Sequence, residues 1–153
     1  MKISDKSKEL ANSWSAKGDA YYDNDEWRKA IVCYTKALKI DPNFSDDWNA
    51  KGLALWNLNK HDKAIKCYDE ALKIEPKNVF VLHNKGLTLN ELGKYEEAIK
   101  CYNKILKINP NDLVVMNEKG NALKELGMQE EANECFKTAE SMGSIFSIGN
   151  YDD

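Results

Sequence analysis

A 34-residue repeat constrains this chain more than any other feature of its sequence. The segment Ala30–Pro42, AIVCYTKALKIDP, returns as AIKCYDEALKIEP from Ala64 and as AIKCYNKILKINP from Ala98. A more divergent copy, ANECFKTAESMGS, begins at Ala132. Aligning the copies without a gap divides most of the chain into four units, residues 11–44, 45–78, 79–112 and 113–146. A period of this length indicates stacked copies of one supersecondary structure.

Each unit has the pattern of two helices joined by a tight turn. In the second unit, Trp48 and Gly52 are four residues apart, as are Ala64 and Tyr68 further on, which is helical spacing. A break, LNKH, separates the two segments, and the third unit has LGKY in its place. Glycine there suits a helix end, where a positive φ is common. We therefore expect helix A, a tight turn, helix B and a proline-marked turn in each unit.

This pattern resembles the tetratricopeptide repeat (TPR) family, whose signature is W-x2-L-G-x2-Y, A-x3-F and a terminal P. The matching residues of the first unit are Trp14, Gly18, Tyr21, Ala30, Tyr34, Ala37 and Pro42. Lysine replaces the leucine that precedes the glycine in all four units (Lys17, Lys51, Lys85 and Lys119). The resemblance covers residues 11–146. It implies an all-α fold, a right-handed superhelical solenoid of antiparallel helix pairs.

The two ends of the repeat array differ from its middle. Residues 1–10 form an N-terminal lead-in. In the fourth unit, Asn133 replaces a repeated isoleucine and Glu140 a repeated leucine, two helical turns apart. A polar face is what a terminal repeat needs, so we expect a degenerate, capping unit. Residues 147–153 form a C-terminal tail. The apolar Ile145, Phe146 and Ile148 either pack back on the last helix or dock on another copy.

The regular spacing of the cysteines is explained by the repeat. Cys33, Cys67, Cys101 and Cys135 fall at the same position of each unit, just before the aromatic residue of helix B. Equivalent atoms of stacked helix pairs lie roughly 10 Å apart, whereas a disulfide needs Cα atoms within about 7 Å. We therefore interpret the cysteines as small core residues. No metal and no cofactor is expected.

The remaining features argue against an enzyme, a nucleic-acid binder or a membrane protein. The chain has neither a phosphate-binding glycine loop nor a catalytic motif such as H-E-x-x-H or G-x-S-x-G. Its net charge is −3, and its lysines are spread among acids, so no nucleic-acid or membrane partner is expected. The opening MKISDKSKEL lacks the apolar core of a signal peptide, and a cytoplasmic location is predicted.

The resemblance to the TPR family implies a concave groove lined by helices A, chiefly through positions 2, 5, 9, 12 and 13 of each unit. The candidate peptide-binding residues are Asp19, Asp23, Asn49, Leu53, Trp56, Asn57, Phe80, His83, Asn84, Leu87, Asn90, Asn117 and Asn121. The central ones are apolar, asparagines flank them, and the first-unit end is acidic, with Asp46 and Asp47 added. We expect Trp56 and Phe80 to be exposed, whereas Leu53 and Leu87 either face the groove or pack between helices.

This surface suits a peptide with one or two large apolar residues and a basic residue, because asparagine amides can pair with a peptide backbone. Chaperone-binding TPR proteins hold a carboxylate with a clamp of lysine, arginine and asparagine. Counted from the first unit, the corresponding positions here are Ser15, Asp19, Ala50, Phe80 and Asn84; counted from the second, they are Asn49, Leu53, Asn84, Val114 and Glu118. Only Asn84 matches, and the cationic residues are absent. The predicted function is a non-enzymatic adaptor for a protein partner. The alternative is a self-assembling scaffold in which the tail docks on another copy.

Overall fold

The computed structural model describes the backbone of residues 4–148 and the side chains of residues 4–143, and all regular structure in this part of the chain is α-helical. The helices are α1 Asp5–Asp23, α2 Trp27–Ile40, α3 Ser45–Asn57, α4 His61–Ile74, α5 Val79–Glu91, α6 Tyr95–Ile108, α7 Leu113–Glu125 and α8 Gln129–Ile148. Odd-numbered helices are the predicted A helices and even-numbered ones the B helices. The side chains of Ile145, Phe146 and Ile148, and residues 149–153 of the predicted tail, lie outside the described part of the chain.

Each turn between an A helix and the next B helix contains one residue with positive φ. Asp25 (φ 58°), Asn59 (56°), Gly93 (70°) and Gly127 (77°) occupy the same place in successive units. In the second turn, the N–H of Lys60 donates to the carbonyl of Leu55 at 2.9 Å, which closes the end of α3. The sequence predicted such a turn from glycine alone. The same left-handed conformation also occurs at an aspartate and an asparagine, which tolerate it better than most residues.

Close approach of the A and B helices explains the glycine, alanine and aromatic positions of the repeat. A Cβ atom added to Gly52 would lie 2.5 Å from Cε1 of Tyr68, well inside van der Waals contact. The same distance is 2.6 Å between Gly18 and Tyr34. Tyr68 itself is fully buried. Position 8 of each unit, which Gly18 and Gly52 occupy, therefore favours glycine, because the aromatic ring at position 24 lies directly against it.

The chain divides into two compact units, and the first is Met1–Val81. Within it, α1 packs on α2, α2 on α3 and α3 on α4, while α1 also contacts α3. One core cluster of this unit contains Tyr34 with Ala30 and Ala54. The other contains Tyr68 with Leu55, Val81 and their neighbours.

The second unit is Leu82–Asp153 and holds most of α5 together with α6, α7 and α8. Here α6 packs on α7, and α7 packs on α8. Its largest fully buried side chains include Tyr102, Leu82 and Ile105. On α8, Asn133 and Glu140 are both exposed, as expected of residues that replace the apolar ones of earlier repeats.

The cysteines and the repeated lysines take up packing roles. Cys33, Cys67 and Cys101 are buried and Cys135 is half-buried, each as a free thiol. Over the range that the structure describes, no three His, Cys, Asp or Glu side chains are arranged to hold a metal ion. Lys51 places its Nζ 5.3 Å from the ring centroid of Trp48, so the lysine that replaces leucine lies against an aromatic face.

Candidate functional site

The candidate groove residues of the N-terminal unit are all at least partly accessible to solvent. We call them the N-terminal A-helix face. Asp19 and Asp23 on α1 and Phe80 on α5 are exposed, and four residues of α3 are half-buried: Asn49, Leu53, Trp56 and Asn57. Helices α1 and α3 contact each other, so the candidate residues on them lie on neighbouring helices.

Phe80 is the most exposed large hydrophobic residue in the described part of the chain, with 76% of its surface accessible. The side-chain Oδ1 of Asn78 accepts hydrogen bonds from the backbone N–H groups of Phe80 (3.1 Å) and Val81 (3.3 Å). This cap fixes the start of α5. Because Val81 faces the core, Phe80 beside it points away, and its exposure follows from the helix register. Val114, at the equivalent position of the fourth repeat, is 61% exposed.

Trp56 and Leu53 are less exposed than Phe80. Trp56 packs against the cluster around Tyr68, and its ring lies edge-on to His61 with centroids 6.4 Å apart. The expectation of an exposed Trp56 is therefore only partly correct, since one part of its ring system is anchored in the core. Leu53 is half-buried, which is intermediate between facing the groove and packing between helices, the two roles expected for it.

Asn57 links two A helices. Its Nδ2 donates to the carbonyl oxygen of Leu53 at 3.0 Å and lies 3.4 Å from the hydroxyl of Tyr22 on α1. The ring of Tyr22 in turn packs edge-on against Trp27, with centroids 4.7 Å apart. The amide N–H2 of Asn57 thus has partners within the protein and contributes to the spacing of α1 and α3.

The acidic end of this face is organised around two hydrogen bonds. The hydroxyl of Tyr34 donates to Oδ1 of Asp19 at 2.8 Å, and burial together with this bond raises the pKa of Tyr34. The hydroxyl of Ser15 donates to Oδ2 of Asp47 at 2.5 Å. Asp19 and Asp46 remain exposed. Both can present negative charge to a ligand.

Asp47 does not belong to the exposed acidic end that the sequence predicted. Only 5% of its surface is accessible. Burial is the main cause that raises the pKa of its carboxyl; the Ser15 hydrogen bond lowers it, and the nearby charges of Asp19, Asp46 and Asp41 raise it further. The prediction failed because Asp47 lies two residues after the start of α3, on the side of the helix that packs against α1 rather than on the solvent side.

The candidate residues of the C-terminal unit form a second surface, the C-terminal A-helix face. Half-buried residues on α5 are His83, Asn84, Leu87 and Asn90, and exposed residues on α7 are Asn117 and Asn121.

His83 is paired with Glu118, which is not among the candidate groove residues. Its Nε2 lies 2.8 Å from Oε2 and 3.0 Å from Oε1 of Glu118 on α7. Burial raises the pKa of Glu118, and the neighbouring His83 opposes that shift. The pair joins α5 to α7. Because Nε2 of His83 already has a partner within the protein, it is less available to a ligand.

Asn90 also differs from its expected role. Its Nδ2 donates to the hydroxyl of Tyr102 at 2.9 Å, and its Oδ1 is buried without a hydrogen-bond partner among the described residues. Tyr102 lies in the core on α6. The amide of Asn90 therefore points into the A–B contact of its own repeat, as Asp19 does toward Tyr34.

A sequence signal for the contacts between adjacent A helices exists in the repeat. Ser15 and Asp47 are 32 residues apart, whereas Tyr22 and Asn57 are separated by 35 residues. His83 and Glu118 have the same 35-residue separation. In these three pairs the partners are separated by one repeat length, give or take two residues, and a search at that separation from His83 would have included Glu118 among its candidates.

The Tetratricopeptide repeat family matches residues 11–44, 45–78 and 79–112, and a second Tetratricopeptide repeat family matches residues 101–132. No curated protein matches the sequence. In the described residues, no helix has both the length and the apolar character that crossing a membrane requires.

Solved structures with the same fold include two of MamA. One has a TM-score of 0.87 at 20% identity and covers 94% of this chain and 78% of its own. The other has a TM-score of 0.85 at 21% identity, with 90% and 80% coverage. The first TPR of Spaghetti (RPAP3) bound to the HSP90 peptide SRMEEVD has a TM-score of 0.74 at 26% identity, covering 78% of this chain and 95% of its own. These likenesses establish the fold as an all-α, α-α solenoid.

Proposed function

The chain belongs to the tetratricopeptide repeat family, and from that premise we propose that it is a non-enzymatic adaptor that binds a peptide segment of a partner on its A-helix faces. Members of this family are protein-interaction modules, and the similar first TPR of Spaghetti is bound to a peptide. The proposal extends this role to the residues named above.

The observation that carries the proposal is the exposure of Phe80, 76% of whose surface is accessible on an A helix. The capped start of α5 keeps this large aromatic side chain exposed to solvent. Covering it with a ligand removes apolar surface from water, which favours binding. Leu53 and Trp56 add partly accessible apolar surface in the same unit, and Asn49 is a half-buried amide beside them on α3.

Charge defines the class of peptide. The exposed carboxylates of Asp19 and Asp23 give the first-repeat end of this face a negative potential. The peptide SRMEEVD of the similar structure carries three acidic residues, which such a surface would repel. We therefore propose an extended or short helical peptide with one or two large apolar residues and a basic residue near one end.

Selection from a random peptide display library tests this proposal. Enriched sequences should combine an aromatic or large aliphatic residue with lysine or arginine. Phe80→Asp should abolish their binding, while the control Val32→Asp, at a residue 54% exposed on a B helix, should leave it intact. Loss of binding in the Val32 variant alone, or in both variants alike, would contradict the assignment of the A-helix face.

We further propose that residues 113–146 form a fourth, degenerate repeat that caps the array, with residues 147–153 as a tail. Support comes from the α7–α8 pair, which keeps the A–B geometry: Cβ on Gly120 would lie 2.5 Å from the ring of Phe136. The exposed Asn133 and Glu140 supply a polar outer face. The free cysteines, three of them buried, suit the cytoplasmic location that completes the proposal.

Self-assembly through the tail is a second candidate function. Helix α8 has 20 residues, whereas α2, α4 and α6 each have 14, so its backbone continues past the end of the repeat. Light scattering over a concentration series, on the full chain and on a chain ending at Gly143, tests it. A mass that rises with concentration only in the full chain would support self-assembly, and equal masses would refute it.

A further inference from the structure

Five cationic side chains line one cavity of about 420 Å³ in the N-terminal unit. They are Arg28 on α2, Lys51 on α3, Lys60 just before α4, and Lys63 and Lys66 on α4, and no Asp or Glu is among the lining residues. The expectation that lysines are evenly mixed with acids is wrong here. A spacing of three residues places Lys60, Lys63 and Lys66 on one side of the start of α4.

None of the five cations belongs to an ion pair that the structure describes, and four of them, Arg28, Lys60, Lys63 and Lys66, are exposed. Lys51 is half-buried, with its Nζ over the Trp48 ring at 5.3 Å. The ion pairs described in this unit join Lys29 to Glu26 and Lys73 to Glu70. The N-cap residue of α4, Lys60, makes no side-chain capping bond, so the positive end of the helix dipole adds to the same potential.

The rest of the lining is mostly apolar. Ile31, Leu55 and Leu58 contribute aliphatic surface. The hydroxyl of Thr35 donates to the carbonyl of Ile31 at 2.7 Å and is thus already engaged. A ligand that fits this lining has negative groups at the rim and an apolar body against the wall.

The C-terminal unit provides an internal comparison. A cavity of about 470 Å³ is formed there largely by repeat-equivalent residues, and Lys119 in it corresponds to Lys51, whereas the counterparts of Arg28 and Lys60 do not line it. Glu131 and Glu134 occupy the places of Lys63 and Lys66, and Lys119 is the one cation of its lining. The fold therefore builds this cavity without requiring positive charge. The charge of the first cavity is a separate property of its sequence.

We propose that the cationic cavity binds a small organic molecule that carries two or more phosphate groups. Its volume lies within the range of small-molecule sites, about 300 to 1,000 Å³. Four of its five cations are lysines, which bind phosphate as point charges, and Arg28 adds a planar guanidinium that can bind phosphate through two parallel hydrogen bonds. None of the A-helix face residues lines it, so this site is independent of the proposed peptide surface.

Isothermal titration calorimetry without divalent cations tests the proposal. Three probes are compared at one ionic strength: adenosine triphosphate, inorganic triphosphate and an acidic peptide of equal charge. Both phosphate probes should bind at one site per chain, the nucleotide more tightly because of the apolar wall. Binding should weaken as salt is raised. The difference in affinity between the nucleotide and inorganic triphosphate measures what the nucleoside part contributes beyond the phosphate groups.

A pair of charge-matched variants locates the site. Lys63→Glu with Lys66→Glu should lower the affinity for both phosphate probes by roughly tenfold or more. This variant should fold, because glutamates occupy the same positions in the second cavity. Lys6→Glu with Lys8→Glu, on the exposed start of α1, makes the same change in net charge and should leave the affinity within about twofold.

Three results would overturn the proposal. One is the absence of saturable binding of either phosphate probe to the unmodified chain. Another is an equal loss of affinity in the two variants, which would indicate a general charge effect. The third is tighter binding of the acidic peptide than of triphosphate, which would make the cavity a protein-docking site.

Discussion

Replacing Gly52 by alanine tests whether the A–B contact holds the repeat together. The new Cβ would lie 2.5 Å from Cε1 and 2.8 Å from Cδ1 of Tyr68. Carbon atoms pack best about 3.5 Å or more apart, so the ring or the helix must move by about 1 Å. Tyr68 and Ala64 are both fully buried, which leaves the ring no free space. Overpacking of this kind costs about 1–3 kcal/mol, offset by about 1 kcal/mol of helix propensity.

The matched control is Gly120→Ala in the last repeat. Its Cβ would also lie 2.5 Å from a ring atom, Cε1 of Phe136, but that ring is half-buried and on the terminal helix α8. It can move outward, so we expect the loss to stay below about 1 kcal/mol. Urea denaturation followed by circular dichroism compares both variants with the parent. A Gly52 variant more stable than the parent, or more stable than the Gly120 variant, would refute the packing argument.

Three further predictions concern turns and buried charge. Asp25→Gly should raise the free energy of unfolding by about 0.5–1 kcal/mol, since Asp25 has a positive φ; an unchanged urea midpoint would contradict this. Gly93→Ala should lower it by about 1 kcal/mol through backbone strain alone, because nothing lies within 4 Å of the added Cβ; a gain in thermal stability would count against strain. Asp47→Asn should stabilise the protein at pH 7 and keep the Ser15 hydrogen bond. A carboxyl whose pKa is raised above its ordinary value of 3.8 supports folding fully below that value and loses this contribution as pH rises through the folded pKa. The gain should therefore vanish in melts near pH 4, and a less stable variant at pH 7 would disprove the assignment.

The sequence predicts the fold well because the repeat itself encodes it. The glycine, alanine and aromatic positions recur in register, and each has a packing reason within its own helix pair. Gly52 lies against Tyr68, and Gly93 has the left-handed conformation that the turn needs. Such contacts depend only on helical spacing and short turns, which composition and periodicity reveal.

The candidate site is less predictable, because its details depend on how side chains of adjacent helices meet. Asp47 is buried although it follows an exposed aspartate, and Asn90 bonds to Tyr102 rather than facing solvent. The partnership of His83 with Glu118 requires knowing the offset between α5 and α7. The repeat period determines which residues are equivalent in successive units. Which of them are in contact depends on an offset of one or two residues between adjacent A helices.

The proposed peptide-binding role is tested most directly by amide chemical-shift mapping with a peptide selected on the chain. The account predicts shifts concentrated on A helices: Asp19 and Asp23 on α1, Asn49 to Asn57 on α3, and Phe80 at the start of α5. Exposed B-helix residues such as Val32, with 54% of its surface accessible, should be unaffected. Shifts confined to α2, α4 and α6 would contradict the account, because the ligand would then bind where no candidate groove residue lies.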